Sequence, residues 1–253
     1  MGRDAARKEL NPYRVMPMSV NDLSTSTQNY LKVIWSLTEW SSEPVTATLI
    51  SRQTGLRMSS VSDAMRKLGS QGLISHAPYG SVELTDEGRT YAVAMIRRHR
   101  LIETFLVDTL GYTWDQVHDE AENMEHAVSD FFVARLDAFL DHPKRDPHGD
   151  PIPAADGTVP ALDARSLTDL AAAMEKGTEK LRVTVERISD SDPELLKHFE
   201  ENGIVVGAVL TVTEGAPFSE ALEVTVDKAS QAVPLGNIAT DALFVSTASP
   251  TSA

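Results

Sequence analysis

Three of the seven histidines fall between residues 99 and 126, each near carboxylates along the chain. His99 and Glu103 are spaced i, i+4, so on a helix they share a face. His118, Glu122, Glu125 and His126 belong to one run, Val117 to His126. On a helix of about 100° per residue they fall at roughly 0°, 40°, 340° and 80° from His118, inside one sector of about 100°. Two imidazoles and two carboxylates on one stripe are costly to bury without compensation, and a divalent cation would stabilise them. A single His–Glu pair is more often a surface ion pair; the whole set argues for metal. Glu120 points elsewhere, and His76, His142, His148 and His198 read as structural residues in turns or surface patterns. There is no cysteine, so the donors are imidazole nitrogen and carboxylate oxygen. That donor type favours Mn2+, with Fe2+ and Zn2+ chemically compatible.

A second constellation lies upstream. Arg57, Ser59, Ser60, Ser62 and Asp63, with Arg66 and Lys67 following, surround the start of a short helix whose buried stripe is Val61, Met65 and Leu68. Small hydroxyls at a helix N-terminus allow close approach to phosphate. Tyr79 and Ser81, at the tip of a turn, are placed to reach the same backbone.

The elements that carry these residues follow from periodicity and punctuation. Tyr30, Leu31, Ile34, Trp35 and Leu37 predict a helix capped by Ser24 or Ser26. Thr46 caps a second helix that Gly55 stops, and Met58 opens a third that runs to Gln71-Gly72. Leu73–His76 and Ser81–Leu84 read as a two-stranded ribbon around Pro78-Tyr79-Gly80. Three helices and a ribbon outline a winged helix-turn-helix, whose third helix enters the major groove. Thr85 caps a long helix to Leu110, followed by helices over 114–125 and 130–140. Five of the 13 prolines then fall between residues 141 and 165. Alternating segments at 181–188, 208–213 and 221–226, with a short helix over 192–201, predict a small β-barrel.

The expected organisation is a flexible arm over 1–22, a winged-helix domain over 23–90 and a dimerisation and metal domain over 91–142. A Pro-rich linker over 143–177 and a small SH3-like barrel over 178–248 complete it. The fold class is mainly α with a β part. The length of 253 residues and the 42% hydrophobic fraction suit two or three globular domains. No run approaches the roughly 20 apolar residues of a membrane helix, and the first 18 residues lack a signal-peptide core, so a cytoplasmic protein without a membrane partner is expected. The net charge of −14 argues against nucleic acid as a whole, but residues 41–100 carry 8 basic and 5 acidic side chains while residues 101–253 carry 10 and 28. DNA suits the front of the chain and cations the back.

Four stretches together resemble the diphtheria-toxin-repressor family of metal-dependent regulators, and its manganese-responsive actinobacterial branch in particular. They are Tyr30–Trp35, Met95–Glu103 (MIRRHRLIE), Val117–His126 (VHDEAENMEH) and Asp146–Pro153 (DPHGDPIP). The resemblance covers roughly residues 23–245. It implies a winged-helix domain, a helical dimerisation and metal domain, and a C-terminal SH3-like (FeoA-like) barrel. It also implies a homodimer, double-stranded operator DNA as partner, no small-molecule substrate, and two metal positions per subunit. By similarity one position is built from Glu122, Glu125 and His126 joined by Asn29, and the other from His99, Glu103 and His118 joined by Asp192. Glu122 stands where the iron-sensing branch has Cys, which points to manganese. Asn29 stands where relatives carry Met or Asp, Leu195 where iron-type relatives carry a Gln ligand, and Lys32 where short manganese sensors carry a Glu ligand. The function expected is Mn2+-dependent repression of manganese-uptake genes. An iron(II)-dependent repressor is one alternative and a manganese metallohydrolase another, although His118-Asp-Glu-Ala-Glu lacks the HExxH spacing of such enzymes.

Overall fold

The computed structural model describes residues 19–41, 43–76, 80–173, 180–216, 219 and 221–247. Most of the expected arm, the ribbon tip with Tyr79, and part of the expected linker lie outside the described residues. The chain divides into two compact units, one of residues 1–98, 126–141 and 153–158, the other of residues 99–125, 142–152 and 159–253.

The first unit opens with a 3-10 turn, Val20–Asp22, closed by a capping box between Ser19 and Asp22. Helix α1 (Thr25–Glu39) is capped by Ser24 and buries Tyr30, Leu31, Ile34 and Trp35. Helix α2 (Ala47–Thr54) is capped by Thr46 and ends at Gly55, whose φ of +68° is the left-handed turn that glycine adopts at least cost. Helix α3 (Met58–Ser70) buries Val61, Met65 and Leu68, as its apolar spacing requires. Strands β1 (Ile74–His76) and β2 (Val82–Leu84) pair antiparallel. The ribbon is fastened to the loop before α2 by a Thr46–Ser81 bridge and by Val82 N–H donating to Val45. Ser81 is therefore buried and not at a free wing tip.

Helix α4 (Asp86–Leu110) begins hard against this ribbon. Thr85 Oγ1 donates to the Gly72 carbonyl at 2.7 Å, and a Cβ on Gly88 would overlap the Leu73 carbonyl. Helix α6 (Asp130–Phe139), capped by Ser129, belongs to the same unit. The buried Arg98 ties α6 to the amino-terminal turn, donating to Asp130 at 2.7 Å and to Asn21 at 2.9 Å.

The second unit holds the later half of α4, helix α5 (Trp114–Glu125), the loop 142–152 and a mixed C-terminal part. That part runs β3 (Arg165–Ser166), α7 (Leu167–Ala172), β4 (Leu181–Ile188), α8 (Pro193–Glu201), β5 (Val209–Glu214), β6 (Leu222–Val226), β7 (Val233–Leu235), α9 (Asn237–Ala242) and β8 (Leu243–Thr247). Its core is Val183, Val185, Leu196, Phe199, Leu210, Val212, Val224 and Val245, among others, from alternate strand positions and the inner face of α8.

The sheet corrects the expectation of a closed barrel. Its strand order is β3-β8-β4-β5-β6-β7, a linear array with two edges. One edge strand has two residues and the other three, with Pro234 unable to donate a backbone hydrogen bond. Edges that short offer no ladder along which closure could form. β3, α7, β7, α9 and β8 carry no long alternating run, and sequence periodicity did not announce them.

Candidate metal centre

Helix α4 places His99 and Glu103 one turn apart, both buried, with His99 Nε2 2.9 Å from Glu103 Oε1. The other ring nitrogen of His99, Nδ1, is 2.6 Å from Glu125 Oε2 at the end of α5. His99 thus joins two carboxylates, one from each of two candidate centres.

The first centre gathers around Glu103, which is 1% exposed. Its carboxylate shares one cluster with His118 and Asp190, and another with Asp146 and His148, each with ligand atoms within 4.8 Å of one another. His118 comes from α5, Asp190 from the link between β4 and α8, and Asp146 and His148 from the loop 142–152. His118 Nδ1 lies 3.4 Å from both Glu103 and Asp190, at ion-pair range but with no hydrogen-bond partner of good geometry. His148 is 0% exposed, and neither ring nitrogen has a hydrogen-bond partner among the described residues. A buried imidazole with two idle nitrogens is expensive to leave so, and its carboxylate neighbours make a cation the natural partner. The Trp114 and His148 rings meet in a T-shaped arrangement with their centroids 5.7 Å apart.

The loop is built to hold this position. Asp146 Oδ1 accepts from the backbone N–H of His148 and of Asp150, each at 2.9 Å. Asp150 Oδ1 in turn accepts from Arg187 at 2.7 Å and from Arg100 at 3.1 Å. Arg100 also donates to the Pro151 carbonyl. Arg187 is aimed inward because β4 shifts register between Val185 and Arg187, a bulge that turns the side chain toward the loop. Ile188 N–H donates to the His148 carbonyl, and Gly149, at φ +92°, lets the loop press on β4 where any Cβ would strike the Glu186 carbonyl.

The electrostatics agree with a cation site. Flanking Asp190, then Glu103, pushes the His118 imidazole up to about 10. Burial alone would raise Glu103, but His99 and then His118 hold it well below the usual carboxylate range. Burial would likewise raise Asp190, and the His118 interaction outweighs it to hold the group low. Asp146 goes the other way: burial, then the charges of Asp150 and Glu103, raise it well above its ordinary value despite Arg100. Surplus negative charge of this kind must take up protons or a cation. The donor set, three carboxylates and two imidazoles with no sulfur, fits a hard or borderline divalent ion.

The second centre is Glu122, Glu125 and His126, three residues within a five-residue stretch at the carboxyl end of α5, with ligand atoms within 4.8 Å of one another. Glu125 is fully buried, while Glu122 and His126 are partly exposed. His126 Nδ1 is 2.6 Å from Gln28 Oε1.

Other expected ligands fall differently. Asn29 is exposed on α1. Asp192 caps α8, its Oδ1 accepting from Glu194 N–H at 3.0 Å and Leu195 N–H at 3.2 Å, and it belongs to no ligand cluster among the described residues. Asp190, two residues earlier, is the carboxylate that meets His118. Asp146, His148 and Asp190 were missed from sequence because they lie in loops, where no periodicity reports direction. The one available signal was His148 between two aspartates two residues away on either side.

The expected DNA-facing residues Arg57, Ser59, Ser60, Ser62, Asp63 and Arg66 are all exposed on or beside α3, with Asp63 and Arg66 paired to each other. Tyr79 lies outside the described residues.

Comparison with known proteins bears on this arrangement. Residues 22–82 match the iron-dependent repressor N-terminal DNA-binding domain, 85–154 the iron-dependent repressor metal-binding and dimerisation domain, and 175–246 the FeoA domain. The chain is 34% identical over 202 residues to the iron-dependent repressor IdeR of Mycobacterium leprae, covering 76% of this chain and 86% of the relative. The chain belongs to the diphtheria-toxin-repressor family. Another member, the diphtheria toxin repressor of Corynebacterium glutamicum, is 35% identical over 181 residues, covering 66% of this chain and 78% of that one. Among solved family structures, a manganese-dependent transcriptional repressor in complex with manganese is 48% identical with a TM-score of 0.80, covering 88% of this chain and 100% of that one. ScaR with bound Zn2+ is 32% identical with a TM-score of 0.73, covering 88% and 99%. Like these relatives, the chain is a metal-dependent transcriptional repressor and not an enzyme; its domains imply DNA and a second copy of itself as partners. No helix among the described residues is long and apolar enough to cross a membrane.

Proposed function

We propose that this family member is a manganese-responsive repressor that acts in the cytoplasm on palindromic operators of manganese-uptake genes. The observation that carries the reading is the sulfur-free donor set of both centres, with Glu122 and not a thiol in the 122–126 group and the idle imidazole of His148 in the other. The 48% identity to a repressor that binds manganese supports it.

Bound there, a divalent cation supplies the positive charge that these carboxylates lack. Glu122, Glu125 and His126 would hold one ion; Glu103, His118, Asp146, His148 and Asp190 would hold the other. His126 reaches α1 through Gln28, so the ordering of His126 bears on the helix that leads into the DNA-binding domain. Two recognition helices in a dimer must match a fixed half-site spacing. Drawing these ligand residues together on loading would shift the population toward that spacing, and operator DNA must then tighten metal binding by the same factor. Arg57, Ser59, Ser60, Ser62, Asp63, Arg66 and Tyr79 are the residues proposed to face DNA.

The test is an operator mobility shift with and without Mn2+. Wild type should bind only when loaded, and Glu122→Ala and His126→Ala should lose the response. Metal-independent binding in all three would sink the proposal. The identity to iron-dependent relatives makes iron(II) the second reading. Equal free Mn2+ and Fe2+ under anaerobic conditions separates the two.

A further inference from the structure

Gln28 is 3% exposed on α1, and its side chain makes three hydrogen bonds. Its amide nitrogen donates to the Val20 carbonyl at 2.9 Å and to the Leu23 carbonyl at 3.0 Å. Carbonyls only accept, so the amide has one permitted orientation: nitrogen toward the 20–23 segment, oxygen away from it. That oxygen is the atom 2.6 Å from His126 Nδ1. An amide oxygen also only accepts, so Nδ1 must carry the proton. In a neutral imidazole Nε2 then bears the lone pair.

We propose that Gln28 is the positioning residue of the 122–126 centre: it locks His126 in the Nδ1–H tautomer and presents Nε2 to the cation. The inference rests on the reading of Glu122, Glu125 and His126 as ligands. A metal-ligating histidine as a rule donates its second ring N–H to a fixed acceptor, which sets both tautomer and ring angle. The acceptor here is itself held from behind. Ser19 and Asp22 close the 3-10 turn that offers the Val20 carbonyl, and Arg98 holds Asn21 within that turn at 2.9 Å. Turned over, the amide would set its oxygen against the Val20 and Leu23 carbonyl oxygens, which can only repel it, so the tautomer is imposed before any ion arrives.

Two variants separate positioning from mere support. Gln28→Met keeps the size and loses all three hydrogen bonds. Gln28→Glu restores an acceptor for Nδ1 but not the donor to both carbonyls. Both are made in the full-length protein, in a background of His118→Ala with His148→Ala, which takes both imidazoles from the Glu103 centre and weakens it against the 122–126 centre. Two-bond 1H–15N spectra without metal should show the Nδ1–H tautomer of His126 with Gln28 and with Gln28→Glu, and a mixture with Gln28→Met. Mn2+ affinity should fall by about 10–100-fold in Gln28→Met and stay at or above the parent value in Gln28→Glu. Equal losses in both variants, or an Nε2–H tautomer in the parent, would overturn the proposal. Failure of the underlying ligand assignment looks different: His126→Ala would then bind Mn2+ as tightly as the parent, which overturns both.

Discussion

At the scale of single residues, the proposed loading of the centre around Glu103 turns on His118. Its imidazole is pushed up to about 10 by Asp190 and Glu103, so at pH 7 it carries a proton that a ligand cannot keep. Mn2+ binding should therefore release protons, about one from His118, and affinity should climb by about tenfold per pH unit over that range. Calorimetry of Mn2+ binding in buffers of different ionisation heat checks this; no net release at pH 7 would remove His118 from the ligand set. The sign for stability is opposite. A histidine whose folded value lies above its unfolded one of about 6.5 contributes fully below that pH, and the contribution is lost as pH rises through about 10. Metal-free protein should show that loss on thermal melting, and His118→Gln should flatten it.

At the scale of elements, two nearby aspartates separate a helix cap from a proposed ligand. Asp192 accepts two N–H bonds at the start of α8, so Asp192→Ala should cost about 1 kcal/mol of stability and leave Mn2+ affinity unchanged. Asp190→Ala should instead weaken Mn2+ binding beside His118 and also lose the stability that the His118–Asp190 pair contributes in metal-free protein. The loop 142–152 depends on Gly149 in the same way that the metal ligands depend on the loop. At φ +92° and against the Glu186 carbonyl, an alanine is strained and obstructed. Gly149→Ala should lose about 2 kcal/mol or more. It should also loosen Mn2+ binding at the Glu103 centre more than at the 122–126 centre. Paired titrations of both centres with a thermal melt measure this.

At the scale of the whole molecule, the acidic excess beyond residue 100 suits cation capture, and the basic excess of residues 41–100 suits DNA. Helix α6, inside the matched dimerisation domain, exposes Phe131 and Phe139, each 66% accessible. If these rings meet their copies in the dimer, Phe131→Ser with Phe139→Ser should sediment as a monomer and lose most operator affinity, because one reader cannot span two half-sites. On the DNA side, Arg57→Ala should lower affinity across sequences and reduce the salt slope by about one phosphate contact. Mobility shifts at several salt concentrations separate a phosphate contact from a folding defect.

What the sequence determined by itself is local. Apolar spacing in α1 and α3, caps at Ser24 and Thr46, and the left-handed stop at Gly55 all follow from neighbours within a few residues. The stripe of His118, Glu122, Glu125 and His126 was legible for the same reason, since a helix converts spacing directly into direction. Only the tertiary structure decided that Asp190 and not Asp192 meets His118, that the sheet stays open, and that His148 and Gln28 are buried beside candidate ligands. Those outcomes depend on a bulge in β4, a glycine pressed on a carbonyl and an amide held by two others. Loops have no period, so where their side chains point is fixed only when distant segments pack.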